Sequence, residues 1–156
     1  MHRVAHEPLR VVVIPDSFKG TLPAHGVARA IATGVARAAE ECAREVSITE
    51  VPFADGGEGT LDAVVASWGS AVRTCAVTDA IGREAAAGFA VSPDGTIALI
   101  EAAQANGLAA VSDVPLRPRE ATTRGVGAMV RAALECGVDE ILLTIGGSAT
   151  TDGGTG

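Results

Sequence analysis

The chain has 156 residues, 47% of them apolar, with 12 basic against 19 acidic side chains and a formal charge of −7. That length suits one domain, or one domain and a piece of another, and the apolar share is enough to bury a core. Lys19 is the single lysine and the arginines are scattered, so no surface is expected to track phosphates and nucleic acid is not an expected partner. Cys42, Cys75 and Cys136 are odd in number, widely spaced and free of any C-x-x-C. They argue against a disulfide framework or a zinc site and point to a reducing cytoplasm. No apolar run reaches the roughly 18 residues of a membrane span, so no membrane partner is expected, and MHRVAHEP lacks the apolar stretch of a signal peptide.

Taken in chain order, Leu9 to Ile14 is a continuous apolar run with β-branched residues, the pattern of a parallel strand covered on both faces. PDSFKGT breaks it. A helix is predicted from Leu22 to Cys42, with Val27, Ile31 and Val35 on one face and Pro23 tolerated in the first turn, where its missing N–H costs nothing. A second strand follows from Val46 to Val51, then the loop PFADGGEGT and a helix from Leu61 to Trp68. This alternation is the βαβ signature of an α/β fold with a parallel sheet. The middle differs: Ala71 to Val77, Glu84 to Val91 and Thr96 to Ile100 read as three strands without intervening helices, an antiparallel or mixed patch. A change of lobe is therefore expected near residue 75. EAAQANGLAAV reads as a short helix closed near Gly107. Thr122 to Cys136 reads as a helix with Val126, Met129, Val130 and Ala133 on one side and Gly137 as its stop. A last strand, Ile141 to Ile145, runs into GGSATTDGGTG.

Four strands end in polar loops, and ligands of open α/β sheets bind outside the carboxyl ends of strands. The first carries Asp16, Ser17 and Lys19 within four residues, either a capped turn or a lysine set to meet phosphate oxygens. The second interleaves Asp55 and Glu58 with Gly56, Gly57 and Gly59. Glycines let backbone N–H groups approach a ligand, and two carboxylates beside a phosphate call for Mg²⁺ between them. The third ends on Glu101, a buried base, an anchor for a substrate hydroxyl, or a merely exposed acid. The fourth offers Gly146, Gly147, Ser148, Thr150, Thr151 and Asp152 but no following Lys, so it is not a Walker A loop. Thr123 and Arg124 open a helix whose N-terminus either attracts an anion or is capped by a threonine. No histidine joins these loops, which disfavours a Ser-His-Asp triad. Carboxylates, one lysine, an arginine, hydroxyls and glycine-rich backbone suit phosphoryl transfer, where positioning and charge neutralisation carry the chemistry. A generic anion- or nucleotide-binding α/β domain explains the loops one by one.

PDSFKGT, PFADGGEGT, IEAAQANGL, ATTRGVG and GGSATTDGG occur here in the order in which they occur in bacterial glycerate kinases of the first type, and the chain resembles that family from residue 9 to 156. The resemblance implies a kinase (a transferase acting on an organic acid) that phosphorylates glycerate from ATP with Mg²⁺, with 2-phosphoglycerate as the expected product. It implies a cytoplasmic enzyme of two α/β lobes. Residues 1–8 would be a disordered lead-in, 9–74 the N-terminal part of a Rossmann-like lobe with a parallel sheet, and 75–156 part of a second, inserted α/β lobe whose C-terminal remainder is missing. It implies Lys19, Asp16 and Asp152 as catalytic. It implies Ser17, Gly56, Gly57, Glu101, Thr123, Arg124, Gly146, Gly147, Ser148 and Thr150 as substrate- or phosphate-binding, and Asp55 and Glu58 as metal ligands. Arg124 would pair with the substrate carboxylate. One position departs from the pattern: Thr151 stands where the family usually has Asn, and a hydroxyl does not replace an amide's donor and acceptor at the same reach. Family members are more than twice as long, so the chain is expected to be an N-terminal portion that is inactive by itself and self-associates through exposed apolar surface, with a non-catalytic remnant as the alternative.

Overall fold

A computed structural model of the chain describes residues 7–18 and 20–156. Lys19 and most of the expected lead-in lie outside the described residues. The fold is α/β, in two compact units divided between residues 54 and 55.

In the first unit, β1 (Leu9–Val13) and β2 (Val46–Glu50) pair in parallel over five residues, from Leu9 opposite Val46 to Val13 opposite Glu50, and α1 (Ala24–Glu41) connects them. Pro23 is the N-cap of α1, one place ahead of the first turn, where its missing N–H is again harmless. The buried face of α1 is Val27, Ala28 and Ala32; Ile31, expected inward, is 43% exposed. Alanines bring the helix axis closer to the strands than the larger Ile31 would. The helix ends without glycine: Ala43 takes a φ of 49°, and Arg44 and Ala43 donate to the carbonyls of Ala39 and Glu40. The expected cover on both faces of β1 is not found among the described residues. Val13 is buried, but Val12 is 59% exposed and Leu9 and Ile14 are exposed as well.

The second unit holds α2 (Thr60–Trp68), β3 (Val72–Thr78), β4 (Glu84–Val91), β5 (Ile97–Glu101), α3 (Ala103–Asn106), α4 (Arg124–Leu134) and β6 (Glu140–Thr144), with a single 3-10 turn at Ala109–Val111. The sheet order is β3-β4-β5-β6. The first three strands form the expected antiparallel patch, and β6 adds in parallel to β5 after the α3–α4 crossover. Alternation assigns the two faces. Phe89, Val91, Ala98 and Ile100 pack with Val126, Met129 and Ala133 of α4, while Ala90 and Leu99 pack with Leu61, Val64, Val65 and Trp68 of α2. Helices on both faces explain why IALIE is apolar without alternation. Gly125 lets α4 reach the sheet: a Cβ there would stand 2.0 Å from the Thr78 carbonyl oxygen. The β3–β4 turn is pinned by the buried Asp79, which accepts the Ile81 and Arg83 N–H groups and pairs with the Arg83 guanidinium, itself bonded to Asp113 and the Ala110 carbonyl. Burial pushes the Asp79 carboxyl up, but the Arg83 contacts outweigh it and hold it below the ordinary value.

Candidate functional site

The site of the second unit begins where β5 and β6 end side by side. Ala102 N–H donates to the Thr144 carbonyl, so the two chains leave the sheet together. The loop after β6 is then stitched on both sides. Gly146 N–H donates to the Gly56 carbonyl at 2.9 Å, and Leu108 N–H donates to the Gly147 carbonyl at 2.8 Å. Ala149 N–H donates to the Asn106 carbonyl at 2.8 Å. The junction with the 55–59 loop is backbone on backbone. A Cβ on Gly146 would stand 2.6 Å from both N and Cα of Gly57, so only glycine fits. Glu58 comes along, its Cγ facing Gly147. Gly56 and Gly59 hold φ values of 92° and 91°, which shape the turn into α2. Asp55 Oδ1 accepts Gly57 N–H at 3.0 Å, an Asx turn that leaves the rest of this exposed carboxylate, and that of Glu58, without a hydrogen bond among the described residues.

Two carboxylates seal helix ends. Glu101, 1% exposed, accepts Leu61 N–H at 2.8 Å in the first turn of α2 and Gln104 Nε2 at 3.3 Å. Burial pushes its carboxyl above the ordinary value, and the negative neighbours Asp62 and Glu58 add to this. Of the three readings the sequence left open, exposure is removed: Glu101 is a buried anchor of α2 with both oxygens engaged. Asp152 does the same for α4. Its Oδ2 accepts the Thr123 N–H at 2.8 Å and the Thr123 hydroxyl at 2.9 Å, and these contacts, with the Gly154 N–H on Oδ1, hold its carboxyl below the ordinary value. The anion at the α4 N-terminus is thus supplied by the chain itself. Thr122 Oγ1 accepts Arg124 N–H at 3.2 Å. Arg124 is exposed and makes no ion pair among the described residues.

Between α4 and the loop after β6 opens a cavity of about 650 Å³. Thr123, Ser148, Thr150 and Asp152 line it, with Val126, Val130, Leu143 and Ile145 as its apolar wall. Asn106 lines it too and was not singled out from the sequence. It sits inside IEAAQANGL, and the only local signal was a polar residue directly before the helix-closing Gly107. Thr151 faces elsewhere, its hydroxyl donating to the Pro118 carbonyl at 2.8 Å. Asp16 and Ser17 belong to the first unit, where Ser17 N–H donates to Asp16 Oδ1 at 2.6 Å. No helix among the described residues is long and apolar enough to cross a membrane, and none of their His, Cys, Asp and Glu side chains gather in threes around a metal-sized space.

Loops outside the carboxyl ends of strands, locked by glycine and lined by hydroxyls, are where α/β proteins bind their ligands. The Glycerate kinase family profile matches residues 11–156, and the chain belongs to that family. It is 41% identical over 148 residues to a glycerate 2-kinase of Escherichia coli K12 and 40% identical to a glycerate kinase of Haemophilus influenzae, in each case over 95% of this chain. It spans 38% of the length of each of these relatives. A crystal structure from Salmonella typhimurium LT2, assigned as a glycerate kinase 2, superposes on 96% of this chain and 39% of its own, with a TM-score of 0.72 and 36% identity.

Proposed function

We propose that the protein carrying this chain transfers the terminal phosphoryl group of ATP to a hydroxyl of glycerate, giving 2-phosphoglycerate, and that these 156 residues supply part of its site without turning over by themselves. One observation carries the reading: the backbone lock of Gly146 on Gly57, which holds the 55–59 loop against the loop after β6, whose Ser148, Thr150 and Asp152 line a cavity. The names of the relatives supply the substrate class. A cytoplasmic setting and self-association through the exposed Leu142, Leu143 and Ile145 belong to the same proposal.

In this reading the attacking hydroxyl oxygen bonds to the terminal phosphorus, the bond to the bridging oxygen of ADP breaks, and the hydroxyl proton leaves to a carboxylate. Asp152, held ionised by Thr123, is the carboxylate of the second unit assigned to that hydroxyl. Asp16 as a further catalytic carboxylate and Lys19 as the cation that neutralises the phosphoryl group are the assignments proposed for the first unit. Ser148 and Thr150 hold an anionic oxygen, and Arg124 pairs with the glycerate carboxylate. Asp55 and Glu58 suit Mg²⁺, which takes one or two carboxylates and keeps its remaining positions for water and phosphate. Their oxygens not used in the Asx turn are available for it, and the ion would neutralise phosphate charge.

A coupled assay of glycerate-dependent ADP formation, with NMR of the product, tests the proposal. Turnover by the protein carrying this chain and a loss of about 100-fold or more in Lys19→Ala are expected. Absence of turnover with ATP and Mg²⁺ present would leave an anion-binding α/β domain as the better reading. Turnover by the 156-residue chain alone would overturn the assignment of only part of the site to it.

A further inference from the structure

Asn106 is 2% exposed, lines the cavity beside the loop after β6, and is used by no step above. Its Nδ2 lies 3.1 Å from Ser148 Oγ and 3.1 Å from Thr150 Oγ1, and those two oxygens lie 2.8 Å apart. Seen from Nδ2 they are close enough for one amide hydrogen to serve both as a three-centre bond. The amide orientation follows from counting hydrogens. With nitrogen toward the hydroxyls, every side of the triangle has a hydrogen. With oxygen there, the two hydroxyl hydrogens cover two sides and leave the third a bare contact between oxygens.

The same count fixes the hydroxyls. Ser148 Oγ accepts from Asn106 and also from Thr150 N–H at 3.1 Å, which fills both of its lone pairs. It therefore donates to Thr150 Oγ1 rather than accepting a third hydrogen. Thr150 Oγ1 then accepts from Asn106 and Ser148, and its own hydroxyl hydrogen is left without an acceptor in the triangle, at a side chain that lines the cavity. The cost of the arrangement is visible: Asn106 Oδ1 is buried without a partner. A buried acceptor without a partner lowers stability, so the presence of an amide here calls for a reason other than packing.

We infer that Asn106 is a positioning residue that orders the hydroxyl hydrogens of Ser148 and Thr150 so that Thr150 offers its O–H to an anionic oxygen of the ligand. The shared chemistry is an oxyanion, from the carboxylate of glycerate or from a nucleotide phosphate. The inference rests on the proposed function for its choice of ligands but not on turnover.

The test is equilibrium binding of D-glycerate and, separately, of ADP with Mg²⁺ to the protein carrying this chain, with Trp68 fluorescence confirming that each variant is folded. Thr150→Val is expected to lower the affinity for one of the two at least tenfold, while Thr150→Ser stays within threefold. Which affinity falls identifies carboxylate or phosphate. Asn106→Leu removes the amide together with its orphaned oxygen, so its Tm should hold or rise while the same affinity falls about tenfold. Thr150→Val added to Asn106→Leu should then cost no more than a further twofold. Binding of neither ligand by the unsubstituted protein, unchanged affinities in Thr150→Val, a Thr150→Ser as weak as Thr150→Val, or full affinity in Asn106→Leu would each overturn the inference. Binding without turnover would defeat only the kinase proposal.

Discussion

β1 and β5 are the same kind of strand in sequence, and they meet opposite fates. Each has five residues, each pairs in parallel over five positions with the strand that follows a helical crossover, and each is dominated by aliphatic side chains. Yet four of the five residues of β5 are buried, against one of the five in β1. The difference is the number of neighbours. β5 has β4 on one edge, β6 on the other, α4 on one face and α2 on the opposite one, whereas within its own unit β1 has β2 and α1 among the described residues. An aliphatic run states how much cover a strand can use; the cover itself has to come from other elements. The two units also close helices differently. α2 and α4 are sealed at their N-termini by Glu101 and Asp152 from distant strand ends, while α1 opens on Pro23 with no side-chain cap among the described residues.

That contrast can be broken most severely at Gly125. Alanine there places a methyl carbon against the Thr78 carbonyl, a backbone atom that cannot step aside. Gly125→Ala should cost about 3 kcal/mol or more in denaturant titrations followed by Trp68 fluorescence, a probe confined to the second unit. A variant as stable as its parent would mean that α4 does not dock on β3 as described.

Matched truncations sharpen the comparison. Ile100 is fully buried between helices, and Ile100→Ala should lose about 2–5 kcal/mol. Ile31→Ala on α1 should lose about 0.5 kcal/mol or less, read by far-ultraviolet circular dichroism. Equal losses would show that the first unit is packed as tightly as the second.

The two sealing carboxylates respond to pH with opposite signs. Asp152 is held below its ordinary value of about 3.9, so its stabilisation is complete above that pH and is lost as pH falls through the lower native value. Asp152→Asn should therefore lower Tm at neutral pH, with the difference shrinking toward acid. Glu101 is held above its ordinary value of about 4.3, so the folded chain keeps that proton longer than the unfolded one. Its favourable contribution is complete below that pH and is lost as pH rises through the native value. The Tm of the parent relative to Glu101→Gln should fall over that rise, and a flat difference would mean that Glu101 is not buried as described.

A small effect of the opposite sign is expected at Ala43, whose left-handed backbone glycine adopts without strain. Ala43→Gly should stabilise the first unit by about 0.5–1 kcal/mol, the relief of backbone strain less the added freedom of glycine in the unfolded chain.

Most elements were legible because their signals are local. The runs at β1, β4 and β5, the SPDG turn and the stop at Gly137 are read from a few adjacent residues, and the structure places them within one or two positions of expectation. The face of α1 was not legible, since Ile31 and Ala32 differ by one step of rotation and only the approach to β1 and β2 selects between them. Among candidate site residues, Ser148, Thr150, Thr123 and Asp152 were legible as a hydroxyl-rich loop and a helix start, and the structure brings all four to one cavity. Their partnership was not, because the Thr123–Asp152 bonds span 29 residues. Asn106 was missed for the same reason: its partners lie 42 and 44 residues away.

By itself, then, the amino-acid sequence determined what short-range forces decide: where strands and helices start and stop, which loops need glycine, and which family the five motifs belong to. Tertiary structure decided which aliphatic strand is covered, which carboxylates seal a helix end, and which hydroxyls and amide share one cavity wall. Those outcomes depend on what stands within a few ångströms across the fold, and a lone pair or a buried face is assigned only when its neighbour is in place.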